Sequence, residues 1–161
     1  MGATIAIRAA NESDLEPVRL LLRETWHQVY DAILGPDGVA EVTGRWHAPA
    51  LLREQLHQPH STFLVAQRGK DLVGHGFAFP REPATLVISR LYVRPGWQRQ
   101  GIGSKLFAAL TGPYPGAATL WLFVAEANPR GLAFWRREGF SVVAHAIEEG
   151  APVVHMEKRL R

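Results

Sequence analysis

A chain of 161 residues with 47% hydrophobic and 20% charged content can bury one substantial core, and the expectation is a single domain over residues 1–161. With no cysteine, disulfides, thiolate nucleophiles and zinc–thiolate sites are excluded, and no metal site is expected; no apolar run of about 18 residues exists to cross a bilayer as a helix. The net charge of +3, from 18 Lys and Arg against 15 Asp and Glu, is scattered; only Arg136-Arg137 and Lys158-Arg159-Arg161 approach a basic patch, so neither a nucleic acid nor a membrane is an expected partner.

Met1-Gly2-Ala3-Thr4 leads into an apolar segment without the charged and apolar regions of a leader, which makes the cytoplasm the expected location. Thr4 to Arg8 reads as a first strand. Asn11 or Ser13 can cap the helix that follows, with Asp14 or Glu16 as the reciprocal partner. Leu15, Val18, Leu22, Thr25, Trp26 and Val29 recur at helical spacing, so one face of 12–30 should pack on a sheet. Gly35-Pro36-Asp37-Gly38 is expected to end that helix, with an irregular stretch through Trp46 before a short helix over Ala48 to Leu56.

From residue 62 the period changes to that of strands: Phe63 to Ala66 and Leu72 to Phe79 form a hairpin, and Ala84 to Val93 a longer strand. A helix carrying Ile102, Leu106, Phe107 and Leu110 on one side comes next. Thr119 to Val124 is almost wholly apolar, as in a strand covered on both faces. A helix from Pro129 to Glu138 ends at Gly139, and Phe140 to Ile147 with Ala151 to Lys158 makes a last hairpin around Glu148-Glu149-Gly150. The fold class is therefore α+β, with a mixed, mostly antiparallel sheet of about seven strands, helices on both faces and one right-handed parallel crossover. The exposed edge of the final hairpin offers a homodimer contact.

The chemistry begins where the strand Leu91-Tyr92-Val93 runs through a polar turn into Gln98-Arg99-Gln100-Gly101-Ile102-Gly103-Ser104. Gly101 and Gly103 let backbone N–H groups approach an anion at a helix start, where the helix dipole favours negative charge, and Arg99 and Lys105 add positive charge. Such a ligand belongs where parallel strands part at their carboxyl ends.

These residues, together with Asn128 and the segment Gly131-Leu132-Ala133-Phe134-Trp135-Arg136-Arg137-Glu138-Gly139-Phe140, closely resemble the GNAT superfamily of acyl-CoA-dependent N-acetyltransferases. The resemblance covers essentially the whole chain. It implies a splayed parallel strand pair at a site for acetyl-CoA, with the Arg99 to Ser104 amides on the pyrophosphate and Leu91, Tyr92 and Val93 pairing with the pantetheine arm as a strand would. Gln98, Asn128, Phe134 and Trp135 complete the implied cofactor set; Asn128 also reads as a helix N-cap.

The resemblance further implies direct attack of a primary amine, of a small molecule or a peptide, on the thioester. Two departures stand out. Trp135 occupies the position where many relatives carry a tyrosine acid, and its indole N–H donates a hydrogen bond but releases no proton at neutral pH. Phe123 stands where some relatives have a glutamate base. Candidates for the base are Glu126, otherwise a surface carboxylate near Arg130, then His75, and Ser89 through a water. Trp26 and Tyr30 share a helix face and are expected at the acceptor pocket if they are not plain core, with Trp46 and Glu148-Glu149 as an aromatic wall and an acidic attraction for a cationic amine. A catalytically silent acyl-CoA-binding module is the alternative function. A nucleotide-binding protein is disfavoured by the absence of Gly-Lys-Ser/Thr and Gly-x-Gly-x-x-Gly.

Overall fold

A computed structural model of the chain describes residues 4–98 and 100–160. Seven strands form one mixed sheet in the order β1-β2-β3-β4-β5-β7-β6. They are β1 (Ile5–Ala9), β2 (Thr62–Arg68), β3 (Asp71–Arg81), β4 (Thr85–Val93), β5 (Thr119–Ala125), β6 (Ser141–Glu148) and β7 (Ala151–Arg159). Every neighbouring pair is antiparallel except β4 and β5. Helices α1 (Leu15–Trp46) and α2 (Pro49–Leu56) cover one face, and α3 (Ile102–Thr111) and α4 (Pro129–Arg137) belong to the other. Among the described residues no helix is long and apolar enough to cross a membrane.

The entry to α1 is a single 3-10 turn, Glu12–Asp14, closed by a capping box. Asn11 is the residue that caps: its Oδ1 accepts from the Ser13 backbone at 3.0 Å, and Asp14 Oδ2 accepts from the Asn11 backbone at 2.8 Å. Asp14 also receives both guanidinium nitrogens of Arg8, at 2.7 and 2.9 Å, which ties β1 to the helix start and holds the Asp14 carboxyl below its ordinary range.

The helix does not end at Gly35-Pro36-Asp37-Gly38. Gly35 takes φ 76° and ψ 157°, a kink rather than a stop, and helical structure resumes through Trp46. Pro36 is well placed to restart a helix, because a first-turn N–H has no intrahelical partner and the ring presets φ. Val39 and Val42, three residues apart and buried, then give the second limb its own apolar face against Trp26. The stretch expected to be irregular is therefore a helix wall.

The α3 face of the sheet owes its close packing to two small residues of β3. A Cβ on Gly74 would lie 2.9 Å from Leu106 Cδ1, and one on Gly76 would lie 2.7 Å from Leu110 Cδ1. Both leucines are fully buried, so α3 sits on glycine backbone where other strands would present side chains.

Strands β4 and β5 pair over three residues only, Thr85 with Thr119, Leu86 with Leu120 and Val87 with Trp121. Beyond that they separate. β4 carries a second irregularity: Phe77 of β3 faces Arg90 while Ala78 faces Ile88, leaving Ser89 as an extra residue. One inserted residue reverses the alternation of side chains. Leu86 and Ile88 pack in the α3-side core, but Arg90 and Tyr92 turn towards α1 and α2, with the Arg90 guanidinium 4.9 Å over the Phe77 ring.

Candidate active site

The parting of β4 and β5 opens a cleft of about 1400 Å³ that passes from the start of α3 to the wall made by α1 and α2. Ile88 to Val93 line one side and Leu122 to Ala125 the other; each stays paired on its outer edge, with β3 and β7, but the two edges that face each other across the space are not paired with one another.

At one end stands the glycine turn. Gly101 has φ 79°, a left-handed conformation that glycine adopts without strain, and it caps α3 without any side chain of its own. Gly101, Ile102, Gly103 and Ser104 all border the cleft. A Cβ on Gly103 would meet the Phe134 ring at 3.0 Å, so the second glycine lets α3 and α4 approach each other. Gln98 braces the turn: its Nε2 donates to the Val93 carbonyl at 3.2 Å and its Oε1 accepts from Arg130 at 3.2 Å. Arg99, expected in the cradle, lies outside the described residues. Gln100 is exposed and does not border the cleft.

Asn128 caps α4, its Oδ1 accepting from the Gly131 N–H at 3.0 Å, and it borders the cleft beside that helix. Gly131 leaves room for the cap, since a Cβ would fall 2.6 Å from Asn128 Nδ2 and displace that side chain. Phe134 and Trp135 border the cleft from α4. Trp135 is also core, edge-on to Phe107 at 5.5 Å and Phe140 at 5.1 Å.

At the other end Trp26 stacks on Tyr30, with centroids 4.3 Å apart and planes 18° apart, and meets Trp46 edge-on at 5.5 Å. Burial pushes the Tyr30 hydroxyl well above its ordinary pKa, so it stays protonated. Tyr92 is shifted upward by burial too, with the Trp26 indole beside its hydroxyl. Trp46 is held by Glu149 from the β6–β7 turn, whose Oε1 accepts from the indole at 3.1 Å while Arg45 binds both carboxylate oxygens at 3.1 and 2.8 Å. The two adjacent glutamates therefore differ from a plain solvated turn: Glu149 is a clasp, and Glu148 borders the cleft as its one carboxylate among the described residues.

The base candidates separate sharply. His75 is fully buried and does not border the cleft; its Nδ1 bonds to the Leu64 carbonyl at 2.9 Å and its Nε2 accepts from Arg90 Nε at 2.9 Å. Burial first, then Arg90, holds its pKa well below the ordinary value, so it is neutral and structural here. Glu126 is not part of the cleft lining either, and its partner is His145 at 2.7 Å rather than Arg130. Its place past the end of β5 directs it to the β6 strand. Ser89, the extra residue of β4, is exposed and does border the cleft.

Among the lining residues not singled out from the sequence as site candidates are Arg90, Gln55, His47 and Trp97. Arg90 had a visible signal, the lone charge inside the otherwise uncharged Thr85–Val93 strand. His47 and Gln55 had none, because the turn between α1 and α2 that positions them follows from the unforeseen second limb of α1.

Residues 30–160 match the family described as an acetyltransferase (GNAT) domain. A protein of Mycobacterium tuberculosis named as a probable N-acetyltransferase is 27% identical over 170 aligned positions, covering 98% of this chain and 94% of its own length. Among solved structures, the PaiA N-acetyltransferase from Thermoplasma acidophilum, in complex with coenzyme A, superposes with a TM-score of 0.85 at 23% identity, covering 97% of this chain and 99% of that one. Ard1 from Thermoplasma volcanium gives a TM-score of 0.79 at 17% identity, with 98% of both chains covered.

Proposed function

Given that this chain belongs to the GNAT acetyltransferase family, and is an acetyl-CoA-dependent acetyltransferase, we propose that it acts on a primary amine of a small molecule or a peptide, delivered to the aromatic end of the cleft. The observation that carries the reading is the cleft itself, which joins a glycine-lined helix start to an aromatic chamber through a gap between two parallel strands. Acetyl-CoA supplies an activated acyl carbon, so the net reaction forms one C–N bond, breaks one C–S bond and moves one proton from the amine to the thiol.

The residues present fit that group. The cleft-side edge of Ile88 to Val93, which has no strand beside it, suits an amide-bearing arm, and the N–H groups from Gly101 to Ser104, with Arg130 and Arg137 on the same cleft, suit phosphates. Asn128 keeps its Nδ2 donor after capping α4 with Oδ1. Trp26, Tyr30 and Trp46 exclude water around the incoming amine and offer ring faces to an ammonium. Glu148 is the group that takes the amine's proton, directly or through a water, since His75 and Glu126 are otherwise engaged. No tyrosine is needed for the leaving thiol, whose own pKa is low enough for the thiolate to depart beside backbone dipoles. The chain acts as one domain, in the cytoplasm, with the β6 edge as the surface for a second copy.

Isothermal titration with acetyl-CoA, followed by thiol release against a panel of amines, tests the reading. Binding with amine-dependent release of CoA is the expected result. Binding with no release by any amine would support a silent acyl-CoA-binding module instead.

A further inference from the structure

Arg90 is a buried cation with no anion beside it among the described residues. Its residue exposure is 6%, and the groups against its guanidinium are neutral or aromatic: His75 Nε2 accepts from Nε at 2.9 Å, Gln55 Oε1 accepts from Nη1 at 2.8 Å, and the Phe77 and Phe63 rings lie 4.9 and 5.6 Å away. Nη2 has no partner. Buried arginines are normally compensated by a carboxylate, because the charge costs several kilocalories per mole to desolvate and an unmade bond leaves that cost standing. His47, 4% exposed, borders the same cleft and likewise leaves a buried Nδ1 without a partner. Gln55, Arg90, His47 and Trp26 all line the cleft on the α1 and α2 side, away from the glycine turn where phosphates would sit.

Among the described residues this chamber has three unmet buried polar atoms, Arg90 Nη2, His47 Nδ1 and Trp26 Nε1, all donors or able to donate and one of them cationic, and it is built to receive an oxyanion. We propose that the acceptor is an amine that also carries a carboxylate, in the manner of an amino acid, and that Arg90 Nη2 together with His47 binds that carboxylate while Glu148 faces the ammonium. The stacked Trp26, Tyr30 and Trp46 then surround the body of the molecule and favour an apolar or aromatic side chain. This rests on the acetyl-transfer reading above and narrows its substrate class. It also explains why Ser89 is inserted in β4: without the extra residue Arg90 would point into the α3-side core, where nothing could meet its charge.

The test compares matched acceptors on the unaltered, acetyl-CoA-saturated protein. Thiol release is measured for a set of amino acids, each as the free acid, the primary amide, the decarboxylated amine and, for the best, the aminophosphonate. The free acids are expected to exceed their own amides in kcat/KM by about thirtyfold, the scale of a charged hydrogen bond. A phosphonate turned over like its carboxylate, with both well above the amide, would support the oxyanion site; a phosphonate far better than every carboxylate would overturn the carboxylate assignment. Amides or decarboxylated amines that equal the acids overturn the proposal while leaving acetyl transfer intact.

Arg90→Gln should bring the acid-to-amide ratio close to one, and Arg90→Lys should retain part of it; an unchanged ratio in a folded Arg90→Gln protein overturns the assignment. If no amine is acetylated although coenzyme A binds, the transfer reading fails. The anion site is then read alone, by titrating the coenzyme-loaded protein with N-acetyl amino acids and their amides. Equal or absent binding overturns it there too.

Discussion

Arg90 Nε donates to His75 Nε2 at 2.9 Å, and this bond fixes the imidazole: a guanidinium only donates, so Nδ1 carries the proton and donates to the Leu64 carbonyl. Protonating His75 would break that arrangement and set two cations together in a dry interior. His47 is in the same position, its pKa pushed down to about 3 by burial and then by Arg90. Both values are depressed in the folded chain, so the unfolded chain binds more protons below the ordinary histidine value of 6.5. Stability is therefore full above pH 6.5 and falls as the pH drops through the window between 6.5 and 3. Each histidine should contribute a slope of about 1.4 kcal/mol per pH unit there. Urea unfolding at pH 7, 6 and 5 measures it, and His47→Gln should lessen the slope.

Removing the β6–β7 clasp should loosen the acceptor end alone. Glu149→Ala frees both Arg45 and the Trp46 indole, and KM for the amine should rise about fivefold, the worth of a hydrogen bond that positions one wall. Affinity for acetyl-CoA, read by calorimetry, should not move.

Asn128 carries two separable roles. Asn128→Ala deletes the α4 cap and should cost about 1 kcal/mol in chemical unfolding, whereas Asn128→Asp keeps an oxygen for the Gly131 N–H and should stay near native stability. The aspartate lacks the Nδ2 donor, so its affinity for acetyl-CoA should fall about tenfold; equal affinity would remove Asn128 from the cofactor set.

Glu148→Gln keeps the shape of the carboxylate and removes its basicity. It should lower kcat about a hundredfold and abolish the acidic limb of the pH–rate profile, with unfolding unaffected. A profile unchanged in shape would show that the amine's proton leaves by another route.

The Gly76 contact sets a packing limit. Gly76→Ala places a Cβ 2.7 Å from Leu110 Cδ1, and with Leu110 fully buried the clash should cost about 2 kcal/mol. Combined with Leu110→Ala, the two costs should sum to less than their separate values, a coupling that a double-mutant cycle in urea reads directly.

Local chemistry made much of this molecule legible beforehand. The passage from β4 into α3 is written in two glycines and an apolar strand, and the α4 cap in Asn128. The order of elements along the chain followed from the alternation of strand and helix periods. What stayed hidden depends on events a linear pattern does not carry. Gly35-Pro36 is equally good at ending a helix and at bending one, and the burial of Val39 and Val42 against Trp26 decided between them. The inserted Ser89 is not marked by any residue type, yet it moves Arg90 from one face of the sheet to the other. Glu126 and His75 were chosen for chemical type; their partners, His145 in one case and Leu64 with Arg90 in the other, lie 11 to 19 residues away in sequence.

Three rungs of parallel pairing, Thr85 to Val87 against Thr119 to Trp121, join the two halves of the sheet. A bound arm that hydrogen-bonds along Ile88 to Val93 would act as the missing length of strand, so the seam is mended by the cosubstrate rather than by the chain. Because any ligand that binds only the folded form adds RT ln(1 + [L]/Kd) to stability, the lifetime of this protein in a cell would track the local supply of acyl-CoA.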